Sequence, residues 1–379
     1  MKAASNIRMS LSPLGLLFFL GWMVIFCVIM LLTACRGQEH DSLAFNPPVF
    51  PETKQISVTP LLSSDFIFDN VGTTMEDIGD FMVILSFREN KYFHVFEKET
   101  GTYIKSFGNF GRGPGELYTV PLMRYSKEDS KLYVFQNKSG LNYYWIYDKE
   151  MIVHGNRVLP EWEDQIILYL DEGKRPPGSA FHFLAWRDKR LFARNNLHRF
   201  EVQDTLRNTL YLYDKYPVVP LQQASDSSDF QDSYLRAAVA LKPDMRKFVT
   251  SSYMGCILEI FNIDEKGQIE NEIEKHFLPA YYSDNKYAIG FIDRKTIFGI
   301  SGFSVTDDYI YANYNGSTYV KGERIVSKQL AVFDWEGNPV CLYVLDWDVR
   351  EFVIDTQRNR CYLVGTDAED EILLGYFDL

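Results

Sequence analysis

Short runs of Val, Ile, Phe and Tyr recur along most of the chain, and Gly, Asn, Asp and Lys residues separate them. Apolar runs of this length, bounded by turn residues, are typical of β-strands. No long segment carries the i, i+3, i+4 repeat of an amphipathic helix. The pattern therefore predicts an all-β chain.

Three segments share one local order, in which an aromatic strand is followed by acidic residues, a glycine and a second strand. They are "YFHVFEKETGTYIKSF", "LEIFNIDEKGQIENEI" and "LAVFDWEGNPVCLYVL". Each predicts a hairpin, because acidic residues and glycine accept the backbone angles of tight turns. Weak similarity at wide spacing indicates radial repeats, and a propeller blade of four strands needs about 40–50 residues. The pattern predicts a β-propeller whose blades have four antiparallel strands each, and the length suits six blades, with seven as the alternative.

The N-terminus has a different character. Lys2 and Arg8 precede a continuous apolar run that starts at Leu14 and ends on small residues before Cys35. A basic start, an apolar middle and small residues are the parts of a secretory signal. The segment "LTAC" resembles the lipobox of bacterial lipoproteins, which implies cleavage after residue 34 and lipidation of Cys35. The alternative is an uncleaved transmembrane anchor, because the run is long enough to span a bilayer.

The domain boundaries follow from these segments. Residues 1–34 form the predicted signal peptide, and 35–53, polar with several prolines, a flexible tether. Residues 54–379 form the predicted propeller domain. Within it, we expect Lys54–Leu61 to complete the last blade by pairing beside the C-terminal segment "EILLGYFDL", since an open blade edge must be covered.

Charge and cysteine content exclude some classes of protein. Without residues 1–34 the chain keeps 37 basic and 51 acidic side chains, a net charge of −14. Such a balance argues against nucleic acid as a partner, because phosphate binding needs a basic surface. Cys256, Cys341 and Cys361 lack the spacing of a zinc site. Cys341 and Cys361 could form a disulfide, but the sequence favours buried free thiols.

One glycine-rich stretch, "SFGNFGRGPGELYTVP", is the candidate site. It contains Gly111, Arg112, Gly113, Gly115 and Glu116. No Gly-Lys-Ser/Thr ending and no helical pattern follow, so it does not predict a nucleotide-binding loop. The glycines indicate a tight connection between two blades. Two interpretations stay open: a purely structural corner, or a loop whose arginine and glutamate contact a ligand.

The same stretch is similar to the FG-x-x-G-x-G-P-G segment of six-bladed TolB-like and NHL-like propellers, especially the propeller lipoproteins of Bacteroidetes. "LKPDMRKFVTSSYMGCILEIFNID" and "FSVTDDYIYANYNG" are similar to further segments of that family. The resemblance covers most of residues 60–379 and matches poorly from Glu161 to Phe230. It implies a six-bladed propeller in a bacterial envelope.

The sequence contains no HExxH, GxSxG, EF-hand or kinase pattern. The histidines are scattered, and no metal site is predicted. Asp307–Asp308 and Asp346 with Asp348 could bind calcium through oxygen ligands, although aspartates also favour plain turns. "LNYYWIY" could form an aromatic platform for carbohydrate, although such residues usually pack between strands.

The sequence thus predicts a lipid-anchored envelope propeller, attached to the membrane through its N-terminal lipid, that binds or scaffolds. Its expected partner is another envelope protein or a small ligand such as a glycan or peptide. The absence of an aspartate directly after Cys35 favours the outer membrane, with either the periplasmic or the outer face. The alternative is a hydrolase or lyase acting on polysaccharide, with acids from several blades at the central channel. Such a site would leave no local motif, so this alternative stays open.

Overall fold

The computed structural model describes residues 45–61, 66, 68, 74–120, 122–138, 141–165, 180–186, 188–194, 198–217, 238–252, 254–279, 296–318, 320 and 326–379. The predicted signal peptide, Cys35 and the first part of the predicted tether lie outside these residues. Residues Phe45–Leu379 form one compact unit. No helix among the described residues combines the length and apolar character needed to cross a bilayer.

Strands make up almost all the regular structure. β1 (Glu52–Ile56) and β2 (Thr59–Pro60) come before the first blade. The first four blades are separate antiparallel sheets of four strands. Blade one comprises β3 (Thr74–Asp77), β4 (Phe81–Arg88), β5 (Lys91–Glu97) and β6 (Tyr103–Asn109), and blade two comprises β7 (Leu122–Ser126), β8 (Lys131–Lys138), β9 (Leu141–Asp148) and β10 (Trp162–Gln165). Blade three comprises β11 (Ala180–Trp186), β12 (Lys189–Arg194), β13 (Phe200–Asp204) and β14 (Thr209–Tyr213). Blade four comprises β15 (Val239–Leu241), β16 (Lys247–Ser251), β17 (Cys256–Ile263) and β18 (Ile269–Leu278).

The last two blades share one long strand. Blade five consists of β19 (Ile300–Val305), β20 (Tyr309–Tyr314), β21 (Ser327–Asp334) and the first part of β22 (Pro339–Asp355). The second part of β22 is the innermost strand of blade six, followed by β23 (Arg360–Thr366) and β24 (Ile372–Asp378). β22 therefore leaves the outer edge of one blade and enters the centre of the next without a break.

A ring of innermost strands confirms the propeller. β3, β7, β11, β15, β19 and the second part of β22 contact one another in this order, and β22 then contacts β3. The middle strands of the blades are buried along most of their length; β4 has five consecutive buried residues. Because neighbouring blades cover both faces of such a strand, its sequence is continuously apolar instead of alternating. The outer strand β18, in contrast, alternates between exposed and covered positions.

Two of the predicted hairpins show why acid and glycine recur together. Asp264 accepts hydrogen bonds from the backbone N–H groups of Lys266 and Gln268, and Gly267 has a positive φ of 88°. The hairpin between β21 and β22 repeats this turn, with Gly337 at a φ of 74°. A side chain disfavours that backbone angle, so glycine completes the turn that the aspartate stabilises.

The N-terminal segment closes the ring and does more than expected. β2 pairs with β24, Thr59 opposite Tyr376, and the N–H of Leu61 donates to Leu374 at 2.8 Å. The expected pairing beside the C-terminal strand therefore holds for this part. Lys54–Ile56, however, belong to β1, which pairs in parallel with β22 on blade five, so the expectation for them is wrong. β22 offers an open edge there, and β1 covers it.

One carboxylate holds the N-terminal segment where it passes from β1 on blade five to β2 on blade six. Asp346 accepts hydrogen bonds from the Ser57 hydroxyl at 2.7 Å and the Val58 N–H at 2.9 Å. Contacts also reach further upstream, because the Asn46 N–H donates to the His276 carbonyl at 3.0 Å and the Phe50 ring lies 5.7 Å from Phe333. The compact unit thus begins at Phe45, upstream of Lys54.

A short helix, α1 (Lys149–His154), follows β9, and the Asp148 side chain caps it by accepting from the N–H groups of Glu150 and Met151. The sequence pattern did not predict it. Cys256, Cys341 and Cys361 are buried free thiols, as the sequence favoured. Burial raises the pKa of Cys256 to about 12.

Candidate functional site

A cavity of about 240 Å³ lies where the innermost strands end. All six innermost strands contribute to its wall, each through residues near the C-terminal end of its strand. Apolar side chains such as Leu241, Phe303 and Phe352 cover much of the surface, and polar groups interrupt them. A pocket with an apolar wall and a few convergent polar groups is the usual form of a ligand site.

An ion pair joins two blades on this wall. Arg124 on β7 donates from Nη1 to Oε1 of Glu76 on β3 at 3.1 Å, and it also contacts the Met123 carbonyl. The side chains of Arg124 and Glu76 are 27% and 16% exposed. Burial raises the pKa of Glu76, although the nearby arginine opposes this change. The pair is therefore held at the channel surface, where a ligand can reach its remaining donors and acceptors.

Glu351 on β22 is the unusual group of the cavity. Burial raises the pKa of its carboxyl to about 7, against the opposing charge of Arg124 and with a further contribution from Glu76. The Phe352 N–H donates a hydrogen bond to this carboxyl, but no salt bridge and no hydrogen bond from another described side chain reaches it. Gly302 on β19 lies beside it: a Cβ there would be 3.8 Å from Oε1 of Glu351. Any larger residue would occupy space next to the carboxyl, so the glycine keeps that side open.

A buried ion cluster lies behind the cavity wall. The Lys98 ammonium, on a side chain only 1% exposed, contacts Asp77 at 2.7 Å and Asp355 at 2.6 Å. Arg358 adds a contact to Asp355 at 3.1 Å and one to Asp80 at 2.7 Å. Burial opposes ionisation of Asp355, but the hydrogen bonds and the positive charges outweigh it, and the net effect lowers its pKa. The cluster ties blade one to blade six, where the ring closes.

The cavity can exchange a proton or hold a polar ligand. A carboxyl with a pKa of about 7 is present in both protonation states near neutral pH, which suits it for either role. Among the described lining residues there is no histidine. Within the part of the chain that the structure describes, no group of three or more His, Cys, Asp or Glu side chains could hold a metal ion.

The other sequence candidates for ligands lie elsewhere. Asp307 and Asp308 are exposed in the turn after β19, and Asp346 is occupied by the N-terminal segment. Calcium binding at these residues stays a prediction. Tyr144 and Trp145 of the "LNYYWIY" segment are 1% and 3% exposed, so they pack inside the protein and cannot form an exposed platform.

The glycine-rich stretch connects β6 to β7 and lies at the start of β7, whereas the cavity lies at its end. Arg112 and Glu116 do not pair with each other. Glu116 Oε2 accepts the Gly113 N–H at 2.8 Å, and Arg112 donates to the Tyr118 hydroxyl at 3.3 Å. Gly115 has a positive φ of 77°.

Gly111 lies against the Glu116 side chain, where a Cβ would collide with the carboxylate. Arg112 itself is exposed. The loop residues are therefore outside the described lining of the channel cavity.

Sequence reasoning missed the residues that the structure brings together, namely Glu76, Arg124 and Glu351. One signal was present: "DVREFVID" and "TMEDIGD" place charged residues in segments with apolar neighbours. A charge inside a strand of that kind must face a channel, a partner charge or solvent. Without the blade boundaries, however, the sequence could not assign these residues to innermost strands.

The ring of six four-stranded blades around a channel defines a six-bladed β-propeller. A family model of TolB-like six-bladed propellers matches residues 50–357, and the chain belongs to this family. The resemblance seen in the sequence is thereby confirmed.

Two solved structures share the fold. One is a protein of Bacteroides fragilis named as exported, with 12% identity and a TM-score of 0.51, and the match covers 86% of this chain and 99% of that one. The other is a member of the DUF4221 family from Bacteroides vulgatus, with 10% identity, a TM-score of 0.51 and coverage of 85% and 96%. No curated protein matches the chain at a significant level.

Proposed function

We propose that this chain is an exported, lipid-anchored propeller of the bacterial envelope that binds a small polar ligand, a glycan or a peptide, in its channel cavity. The observation that carries the proposal is the Glu351 carboxyl. It faces a cavity built by all six blades and has no side-chain partner among the described residues. The Phe352 N–H uses only part of the hydrogen-bonding capacity of the carboxyl, and a ligand that donates a hydrogen bond can use the rest.

The surroundings of Glu351 indicate which ligand groups fit. Its carboxylate accepts hydrogen bonds from hydroxyl or ammonium groups, and Arg124 can donate to a carbonyl or carboxylate. The apolar wall covers the carbon skeleton of the ligand. Hydroxyl, amine and carboxyl groups on a compact carbon frame are the groups of sugars and short peptides.

Export and lipid attachment rest on the N-terminal segment. The basic start, the apolar run and Cys35 support both, and a Bacteroides protein with the same fold is named as exported. In a bacterium that processes lipoproteins, wild-type protein should incorporate labelled fatty acid and fractionate with membranes. A Cys35→Ser variant that is labelled equally would overturn the anchoring.

Binding is tested on the detergent-solubilised full-length protein by thermal shift against glycans, peptidoglycan fragments and calcium. A ligand at a hundred times its Kd adds about 2.7 kcal/mol to the free energy of unfolding. The proposal expects a shift that Glu351→Gln reduces and the control Glu270→Gln, an exposed carboxylate on β18, leaves unchanged. A shift equal in all three proteins would place binding outside the cavity.

One observation favours a second candidate function, a hydrolase or lyase acting on polysaccharide. Glu351, with a pKa of about 7, and Glu76, paired with Arg124, are two carboxyls in different environments, as acid–base catalysis requires. A reducing-sugar assay with polysaccharide substrates separates the two functions. Product formation that Glu351→Gln abolishes would support the enzyme; binding without product would support the binding module.

A further inference from the structure

Three exposed aromatic rings form a continuous patch at the end of the propeller opposite the cavity. They are Phe87 at the end of β4, Phe110 directly after β6 and Tyr118 in the β6–β7 loop, with 41%, 44% and 36% of their surfaces exposed. Phe87 and Phe110 meet edge to face at 5.7 Å, and Phe110 and Tyr118 stack at 6.0 Å with an interplanar angle of 23°. Adjacent exposed rings give a ligand an apolar surface on which it can pack.

Contacts with a largely buried tyrosine and with the backbone hold the rings of the patch in place. The largely buried Tyr92 ring contacts Phe87 at 5.2 Å and Phe110 at 6.3 Å, and its hydroxyl donates to the Tyr118 carbonyl at 2.7 Å. The Phe110 N–H donates to the Asn90 carbonyl at 2.9 Å. These contacts fix the rings, so a ligand does not have to order them on binding.

The glycine-rich loop places the last ring. The Gly111 N–H donates to the Leu117 carbonyl at 2.9 Å, and Glu116 accepts the Gly113 N–H. The chain therefore folds back on itself between Phe110 and Tyr118, and the two aromatic residues at its ends come together. The glycine-rich loop is thus a tight turn between two blades, and this turn brings the aromatic residues of the patch together.

Arg112 adds a positive charge at the edge of the patch. Its guanidinium carbon lies 4.8 Å from the centre of the Tyr118 ring, and Nη2 contacts the Tyr118 hydroxyl at 3.3 Å. It has no carboxylate partner among the described residues, although the chain carries 51 acidic side chains. An exposed guanidinium that is stacked but not ion-paired presents its remaining donors outward, in the geometry that binds a carboxylate.

We propose that the patch of Phe87, Phe110, Tyr118 and Arg112 binds an acidic sugar, a pyranose that carries a carboxylate. The ring C–H groups of the sugar pack on the aromatic faces, because these faces carry partial negative charge. The sugar carboxylate pairs with Arg112. Three rings and one cation are much smaller than the roughly 800 Å² that each side of a stable protein interface buries, so a sugar unit matches the patch better than a protein does.

This proposal is independent of ligand binding in the channel cavity, since the patch and the cavity lie at opposite ends of the innermost strands. The full-length protein is titrated by calorimetry with oligogalacturonate and, as the neutral counterpart, oligogalactose. We expect the acidic oligomer to bind more tightly and its affinity to fall with added salt, because exposed charges are screened.

Two variants and two controls test the residues. Arg112→Ala should weaken oligogalacturonate binding about 10- to 100-fold, the size of a lost charged hydrogen bond, and abolish the preference for the acidic oligomer. Tyr118→Ala should weaken both oligomers. Arg246→Ala and Tyr309→Ala remove an exposed arginine and an exposed tyrosine on other blades and should change neither.

The proposal is overturned if oligogalacturonate does not bind or if Arg112→Ala binds it as wild type does. It is equally overturned if sugars do not bind and the patch variants instead lose a crosslink to an envelope protein. Because the four side chains are exposed, all variants should keep the melting temperature of the wild type, and that measurement separates lost binding from lost folding.

Discussion

Replacing Glu351 with Gln should stabilise the protein at high pH and much less at low pH. Gln keeps the shape of the side chain and cannot ionise. Glu351 has a folded pKa of about 7 against an ordinary 4.5, so the folded state resists its ionisation. Below pH 4.5 the carboxyl is protonated in both states and the effect is absent. As pH rises from 4.5 to 7 the unfolded state loses the proton first, and stability falls until the loss is complete above pH 7.

The magnitude follows from the same values. One pKa unit is worth about 1.4 kcal/mol, so a pKa raised from 4.5 to about 7 corresponds to about 3 kcal/mol. Glu351 faces the channel and keeps partial access to water, which screens its charge, and about 1–2 kcal/mol is a more realistic gain. For a chain of this length that is a rise in melting temperature of a few degrees.

The assay is thermal unfolding of wild type, Glu351→Gln and Glu270→Gln at pH 5 and pH 8.5. A buried amide has its own cost, but this cost does not depend on pH, so the informative quantity is the difference between variant and wild type at the two pH values. We expect this difference to favour Glu351→Gln at pH 8.5, with no such change for Glu270→Gln. A difference equal at both pH values would refute the argument that Glu351 is held in a desolvated position.

Three further predictions concern other parts of the ring. Lys98→Met removes the cation that Asp77 and Asp355 share, although Arg358 still contacts Asp355 and Lys127 still lies 3.8 Å from Asp77. Urea unfolding should therefore show a loss of about 3 kcal/mol, the lower end for breaking a buried ion pair, and a loss below about 1 kcal/mol would contradict a role in closing the ring. Burial lowers the pKa of His94 to about 4, so its ring should stay neutral in an NMR titration down to pH 5, and protonation near pH 6.5 would disprove this. The free energy of unfolding keeps the contribution of the neutral ring above pH 6.5 and loses it as the pH falls toward 4, because the unfolded state takes up the proton first. Gly111→Ala forces the Glu116 side chain away and should weaken oligogalacturonate binding and lower the melting temperature, and an unchanged affinity would show that the loop does not position the patch.

Much of the fold could be predicted from the sequence because it depends on local features. Apolar runs between turns indicate strands, and the pairing of Asp264 with Gly267 in one turn is visible in the letters alone. Length and repeat spacing suited six blades and left seven open, and the ring of innermost strands decides for six. The helix after β9 was missed, because six residues are too few to show a helical period.

The N-terminal segment was predicted in part, for a physical reason. A propeller must cover its last edge, so a closing strand beside β24 could be expected from the architecture. The pairing of β1 with β22 could not, because it depends on β22 leaving an open edge as it passes from blade five to blade six. That passage is a property of the assembled ring.

By itself, the sequence determined an all-β chain, a six-bladed ring and an exported N-terminus as expectations, since strand period, turn residues and signal segments are all read within short windows. Only the tertiary structure decided the candidate sites. Glu76, Arg124 and Glu351 come from three different blades and meet only where the ring closes, while Phe87 and Tyr118 meet only because the glycine-rich loop folds back. Charges and rings far apart in the chain become one surface through packing, and no local pattern records which strands will become neighbours.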